Sequence, residues 1–113
     1  MSAVETFHNT IAFQLAAALD AYQADVGALL RTPSDAELYQ RVNEHLNQMR
    51  VLCERLPTLS ACWVEVLIRH YELTHAISLG QGTLSVDVER LQVRHAYAVQ
   101  NLMKLCVHLV PSA

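Results

Sequence analysis

Three prolines and three glycines in 113 residues leave this chain few places to turn. Pro33, Pro57 and the pair Gly80 and Gly82 fall about 25 residues apart, and between them apolar residues recur at helical spacing. Proline pushes its preceding residue out of the α region, and glycine enters the left-handed region at little cost, so each is a natural place for a helix to stop. A β fold would need turn residues far more often. The punctuation therefore predicts an all-α chain built from a few long helices.

Four segments fill the intervals. Val4, Phe7, Ile11, Leu15, Ala18, Leu19, Tyr22, Val26 and Leu29 form the first apolar stripe, with Ser2 and Glu5 in capping-box spacing, and the segment should end near Arg31 ahead of Pro33. Ser34 and Glu37 form a second capping box before Leu38, Val42, His45, Met49, Leu52 and Leu56, an unbroken 4-3-4-3-4 spacing closed by Pro57. The third segment starts at Thr58 or Ser60, presents Leu59, Trp63, Val66, His70, Leu73 and Ile77, and stops at Gly80. Ser85 caps the fourth, Asp87 and Glu89 suit its positive first turn, and its stripe is Val88, Leu91, His95, Ala98, Leu102, Leu105 and Leu109 before Pro111. Helices over about 3–31, 35–56, 59–79 and 86–110, joined by tight breaks, predict one domain spanning 1–113: an antiparallel up-and-down four-helix bundle.

Composition narrows the partners. Hydrophobic residues make up 52% and charged residues 17%, which excludes disorder, and a net charge of −3 with seven arginines and one lysine dispersed along the chain gives no basic footprint for nucleic acid. No basic residue precedes an apolar run at the N-terminus, and the charge-free stretch 6–19 is broken by His8, Asn9 and Gln14, so neither a leader nor a membrane partner is expected. Three cysteines, an odd number, point to reduced thiols and a cytoplasmic setting.

The chemistry lies in the histidines. His45, His70 and His95 are each 25 residues apart and each on the stripe of a different helix. In antiparallel neighbours, residues at equal height have numbers summing to a constant, here near 65, 115 and 165 for the three breaks; 45 + 70 = 115 and 70 + 95 = 165, so one layer should hold all three imidazoles, with Leu19 and Tyr22 from the first helix. Such a layer suits a three-histidine zinc site with an open fourth position, or axial ligation of haem. It equally suits imidazoles hydrogen-bonded to each other and to Tyr22 as a polar register layer. No carboxylate on the stripe would orient metal ligands.

Other constellations carry less. Glu5 with His8 and Glu72 with His75 share the Glu-x-x-His spacing of di-iron bundles, but one opens its helix and the other closes its own, at opposite ends of parallel helices. Cys53 and Cys62 sit level, with Cys106, His8 and His108 near the same end, but without any Cys-x-x-Cys pair they read as small core hydrophobes. The run Arg90-Leu91-Gln92-Val93-Arg94-His95-Ala96-Tyr97 resembles the Arg-x4-His-x-Tyr element of HEPN ribonucleases, with Arg69 and His75 in a looser version. That resemblance implies a helical RNA-cleaving toxin with Arg90 and His95 as its reactive pair, although the polar residue that usually follows the arginine is missing.

The third helix is apolar on more than one face. Val64, Leu67, Ile68 and Tyr71 lie off its stripe, as do Val93, Tyr97 and Val107 on the fourth, whereas a bundle helix needs an apolar arc of only about 100°. Surplus apolar surface marks an interface, so helices 3 and 4 should form a homodimer contact or dock another protein. With no glycine-rich phosphate loop, no nucleophile motif and no paired inward carboxylates, the sequence favours a non-enzymatic interaction protein: an adaptor, small chaperone or regulatory subunit. A metal- or haem-binding bundle is the alternative, and a HEPN-like ribonuclease the third reading.

Overall fold

A computed structural model describes residues 3–80 and 86–109 and shows four helices: α1 (Ala3–Arg31), α2 (Ala36–Glu54), α3 (Ser60–Gly80) and α4 (Val86–Leu109). The Ser2 cap, the loop through Gly82, the Ser85 cap and Pro111 lie outside the described residues. The four expected helices are present, each bound within two residues of its expected place.

Local chemistry explains the breaks. The N–H of Thr32 closes α1 on the carbonyls of Ala28 and Leu29, and the N–H of Asp35 donates to the Thr32 carbonyl at 3.1 Å, folding Pro33 and Ser34 into a turn. Ser34 is thereby consumed, and the cap of α2 passes to Asp35, whose carboxylate accepts from the N–H groups of Glu37 at 3.0 Å and Leu38 at 3.2 Å. The capping residue thus sits one position later than the Ser34 box predicts. At the far end of α2, Pro57 opens a single 3₁₀ turn, Pro57–Leu59, and the Ser60 hydroxyl donates to the Pro57 carbonyl at 2.7 Å.

The helices assemble as an up-and-down bundle. α1 packs along α2 and α4, and α3 along α4; consecutive helices α2 and α3 pack only sparsely, so the seam between them is the loosest of the four. The envelope is an elongated 51 × 24 × 23 Å. Every expected stripe residue of α3 is buried, from Leu59 through Trp63, Val66, His70 and Leu73 to Ile77. On α2 the buried set is Leu38, Val42, Leu46, Met49 and Cys53, with Leu56 buried just beyond its end, so Leu46 and Cys53 take the inward places expected for His45 and Leu52. Burying Leu46 removes apolar surface from water at no polar cost, whereas burying His45 would require a partner for each ring nitrogen. A small rotation of α2 about its axis therefore favours the leucine.

Candidate functional site

The polar centre of the core is Tyr22 with His70 and His95, respectively 0%, 2% and 4% exposed. The phenolic oxygen of Tyr22 lies 2.7 Å from His70 Nδ1 and 2.7 Å from His95 Nε2. Tyr22 is delivered by the inward face of α1 between Leu19 and Val26, and reaches across the core to both helices of the other hairpin. The three rings are tilted against one another, with centroids 5.8 Å and 5.5 Å from the tyrosine. The rings of Tyr71 and His70 stand nearly perpendicular, with centroids 5.1 Å apart.

Proton bookkeeping constrains this trio. A phenol O–H donates once, and a neutral imidazole carries one N–H and one lone pair. With two nitrogens on one hydroxyl, one imidazole donates to the Tyr22 oxygen and the other accepts its proton. The chain of two hydrogen bonds therefore has a direction, and reversing it changes the tautomer of both rings. Burial lowers the pKa of both histidines to about 4, with His70 adding to the effect on His95, so both are neutral near pH 7. Burial, then the neighbouring Tyr71, raises the Tyr22 pKa far above that of an exposed phenol.

His45 stands apart. Instead of joining the core layer, it lies half-buried at the α1/α2 edge, where its Nε2 pairs with Asp25 Oδ2 at 2.8 Å. Arg41 holds the other carboxylate oxygen at 2.9 Å. Burial raises the Asp25 pKa, but the hydrogen bonds and charges of Arg41 and His45 outweigh it and hold the carboxyl below its ordinary value. Asp25 was not singled out in the sequence, though it follows Tyr22 by three residues and so flanks the inward face of α1.

A three-histidine ligand set is therefore not assembled: His70 and His95 converge on a phenol rather than on a vacancy, and His45 is bound elsewhere. Among the described residues no group of three histidines, cysteines or carboxylates is placed to hold a metal ion. Cys53 and Cys106 are buried and Cys62 half-buried, all as free thiols. Burial, followed by the neighbouring cysteine, raises Cys53 to about 12 and Cys106 to about 11, so both stay protonated packing residues. The side chain of His8 lies outside the described residues.

The Arg90/His95 pair is also separated. Five residues along a helix turn about 140°, so Arg90 is exposed while His95 points to Tyr22. Arg69 binds Glu65 at 2.8 Å and Glu72 at 3.0 Å along its own helix, and does not face His75.

The surplus apolar residues lie outside, as expected, apart from Leu67, which is half-buried and packs against the core. Val64 is 50% exposed, Ile68 45%, Tyr71 60%, Val93 70% and Tyr97 67%. Phe13 on α1 and Leu79 on α3 are as exposed, each off the inward stripe of its helix. No helix among the described residues is long and apolar enough to cross a membrane. Compared with known proteins, the chain matches no family model, and no curated protein or solved structure shows significant similarity to it.

Proposed function

We propose that the chain is a non-enzymatic interaction protein that works through the outer face of α3 and α4, with a second copy of itself as the first occupant. The observation that carries this reading is the alignment of exposed apolar stripes. Val64, Ile68 and Tyr71 follow one another by four and three residues on α3, and Val93 and Tyr97 by four on α4. His70 and His95 meet through Tyr22 with numbers summing to 165, and 68 + 97 gives the same sum, so Ile68 and Tyr97 lie level on antiparallel helices.

The flanking charges on α3 are consumed locally, since Glu65 and Glu72 both pair with Arg69. On α4 the exposed Arg90 and Arg94 stand three residues ahead of Val93 and Tyr97, so the apolar face has a basic rim on that side, and a second copy across a two-fold axis would set its apolar stripe against this one with the arginines at the edge. An adaptor, small chaperone or regulatory subunit would use such a face, and the three reduced cysteines suit a cytoplasmic setting.

Sedimentation of the wild type beside Ile68→Asp and Tyr97→Asp tests the reading. We expect a wild-type dimer at tens of micromolar, on the order of concentrations where a micromolar interface persists, and monomers of both variants. A wild type that is monomeric at that concentration overturns it.

A further inference from the structure

The loose seam between α2 and α3 opens a groove of about 520 Å³. Tyr39 and Asn43 of α2 form one wall, Tyr71 and Ser78 of α3 the other, and His70 the floor. His70 is 2% exposed, and its Nδ1 is engaged by Tyr22. Among the described residues its Nε2 has no hydrogen-bond partner, yet no buried side-chain nitrogen there is both unpaired and sealed from the surface. The free nitrogen therefore opens on the groove, a polar atom of a buried ring aimed at whatever enters.

We propose that this groove binds a small uncharged aromatic molecule carrying one hydrogen-bonding head group, with its head on His70 Nε2 and its ring beside Tyr39 and Tyr71, and that the bound head group sets the direction of the Tyr22 relay. The class follows from the lining. Among the described residues the lining holds no carboxylate, lysine or arginine, and His75 is its one further imidazole, so a charged ligand would lose its hydration without gaining a fixed counter-charge. Two tyrosines on opposite walls offer aromatic edges and faces. The volume lies in the range of sites for small molecules, and a mostly apolar surface with a few polar groups, here Asn43, Thr74, His75 and Ser78 beside His70, is how such sites fix orientation.

The relay makes the site legible from a distance. A head group that donates to His70 Nε2 requires that ring to carry its proton on Nδ1; Nδ1–H then donates to the Tyr22 oxygen, and the Tyr22 hydroxyl donates to His95 Nε2. His95 must then hold its own proton on Nδ1. A head group that accepts from His70 Nε2–H reverses every step: Tyr22 donates to His70 Nδ1, and His95 donates from Nε2. Between the two states each proton inside a hydrogen bond shifts along its own bond, while His70 Nε2 takes up one proton from solvent and His95 Nδ1 releases one to it, so the two states carry the same net charge. Tyr71 belongs both to the groove wall and to the face proposed for self-association, whereas the floor of the groove, His70, lies on the α2 side of α3.

The test is a nitrogen-15 titration of the histidine rings of the whole chain with two probes: 4-methylphenol, whose acidic hydroxyl donates to an imidazole lone pair, and acetophenone, whose carbonyl only accepts. Both should saturate. At saturation His70 and His95 should both carry the proton on Nδ1 with 4-methylphenol and both on Nε2 with acetophenone. Asn43→Trp, an exposed position on the groove wall, should weaken both probes at least tenfold while leaving the helical spectrum unchanged. Tyr22→Phe should leave the His70 response and abolish that of His95.

Failure of both probes to saturate within their solubility, or equal affinity in Asn43→Trp, overturns the site. A His95 tautomer that is the same with both probes overturns the relay.

Discussion

Tyr22 is the residue on which the core's polarity turns, because a single hydroxyl satisfies two buried imidazoles. Replacing it by phenylalanine preserves the ring but leaves His70 Nδ1 and His95 Nε2 unpaired. A buried unpaired group costs about 1–3 kcal/mol, so Tyr22→Phe should lower unfolding free energy by at least that much in a urea titration. The combined variant Tyr22→Phe/His70→Leu/His95→Leu should regain most of the loss, since an apolar set of similar shape leaves nothing unpaired. His45→Ala should behave differently: its Asp25 pair is partly exposed, and pairs of that kind are worth about 0–1 kcal/mol. A loss above about 2 kcal/mol would place His45 back in the core. Equal spacing made the level of His70 and His95 legible in the sequence, because height depends only on residue number and turn position. It could not place His45, because the inward direction of a side chain depends on the rotation of its helix, and one residue of rotation is about 100°.

At the scale of the element, α2 shows why that rotation was hidden. Both 38, 42, 45, 49, 52, 56 and 38, 42, 46, 49, 53, 56 are acceptable helical stripes, and they differ only in which of two adjacent residues faces in. The choice is made by partners that lie far away in sequence, Asp25 for His45 and the core for Leu46. α3 offered no such ambiguity, and its whole stripe was readable. The caps follow the same logic: Ser34 and Asp35 are both good capping residues, and the turn at Pro33 decides between them by using Ser34. Asp35→Ala should therefore destabilise the protein by about 1 kcal/mol and Ser34→Ala by a few tenths at most, measured as shifts of the urea midpoint at constant slope.

For the whole molecule the buried histidines impose a pH dependence whose sign is fixed. In the folded state His70 and His95 bind protons only near pH 4, whereas in the unfolded chain they do so near the ordinary value of 6.5. Between these values the unfolded chain holds more protons, so stability is full above about pH 6.5 and falls as pH drops toward 4. Each histidine contributes a slope of up to about 1.4 kcal/mol per pH unit, or roughly 2 kcal/mol at pH 5. Urea unfolding at pH 7.5 and pH 5 checks this, and the variant without Tyr22, His70 and His95 side-chain polarity should lose that component. The sparse seam between α2 and α3 also has a consequence for the covalent chain. α1 holds α2, α3 holds α4, and α1 with α4 joins the two hairpins, so the peptide link through Pro57 connects halves that grip each other elsewhere. The molecule is in effect a heterodimer of hairpins written as one polypeptide, and fragments 1–56 and 57–113, synthesised separately, should find one another and rebuild the bundle.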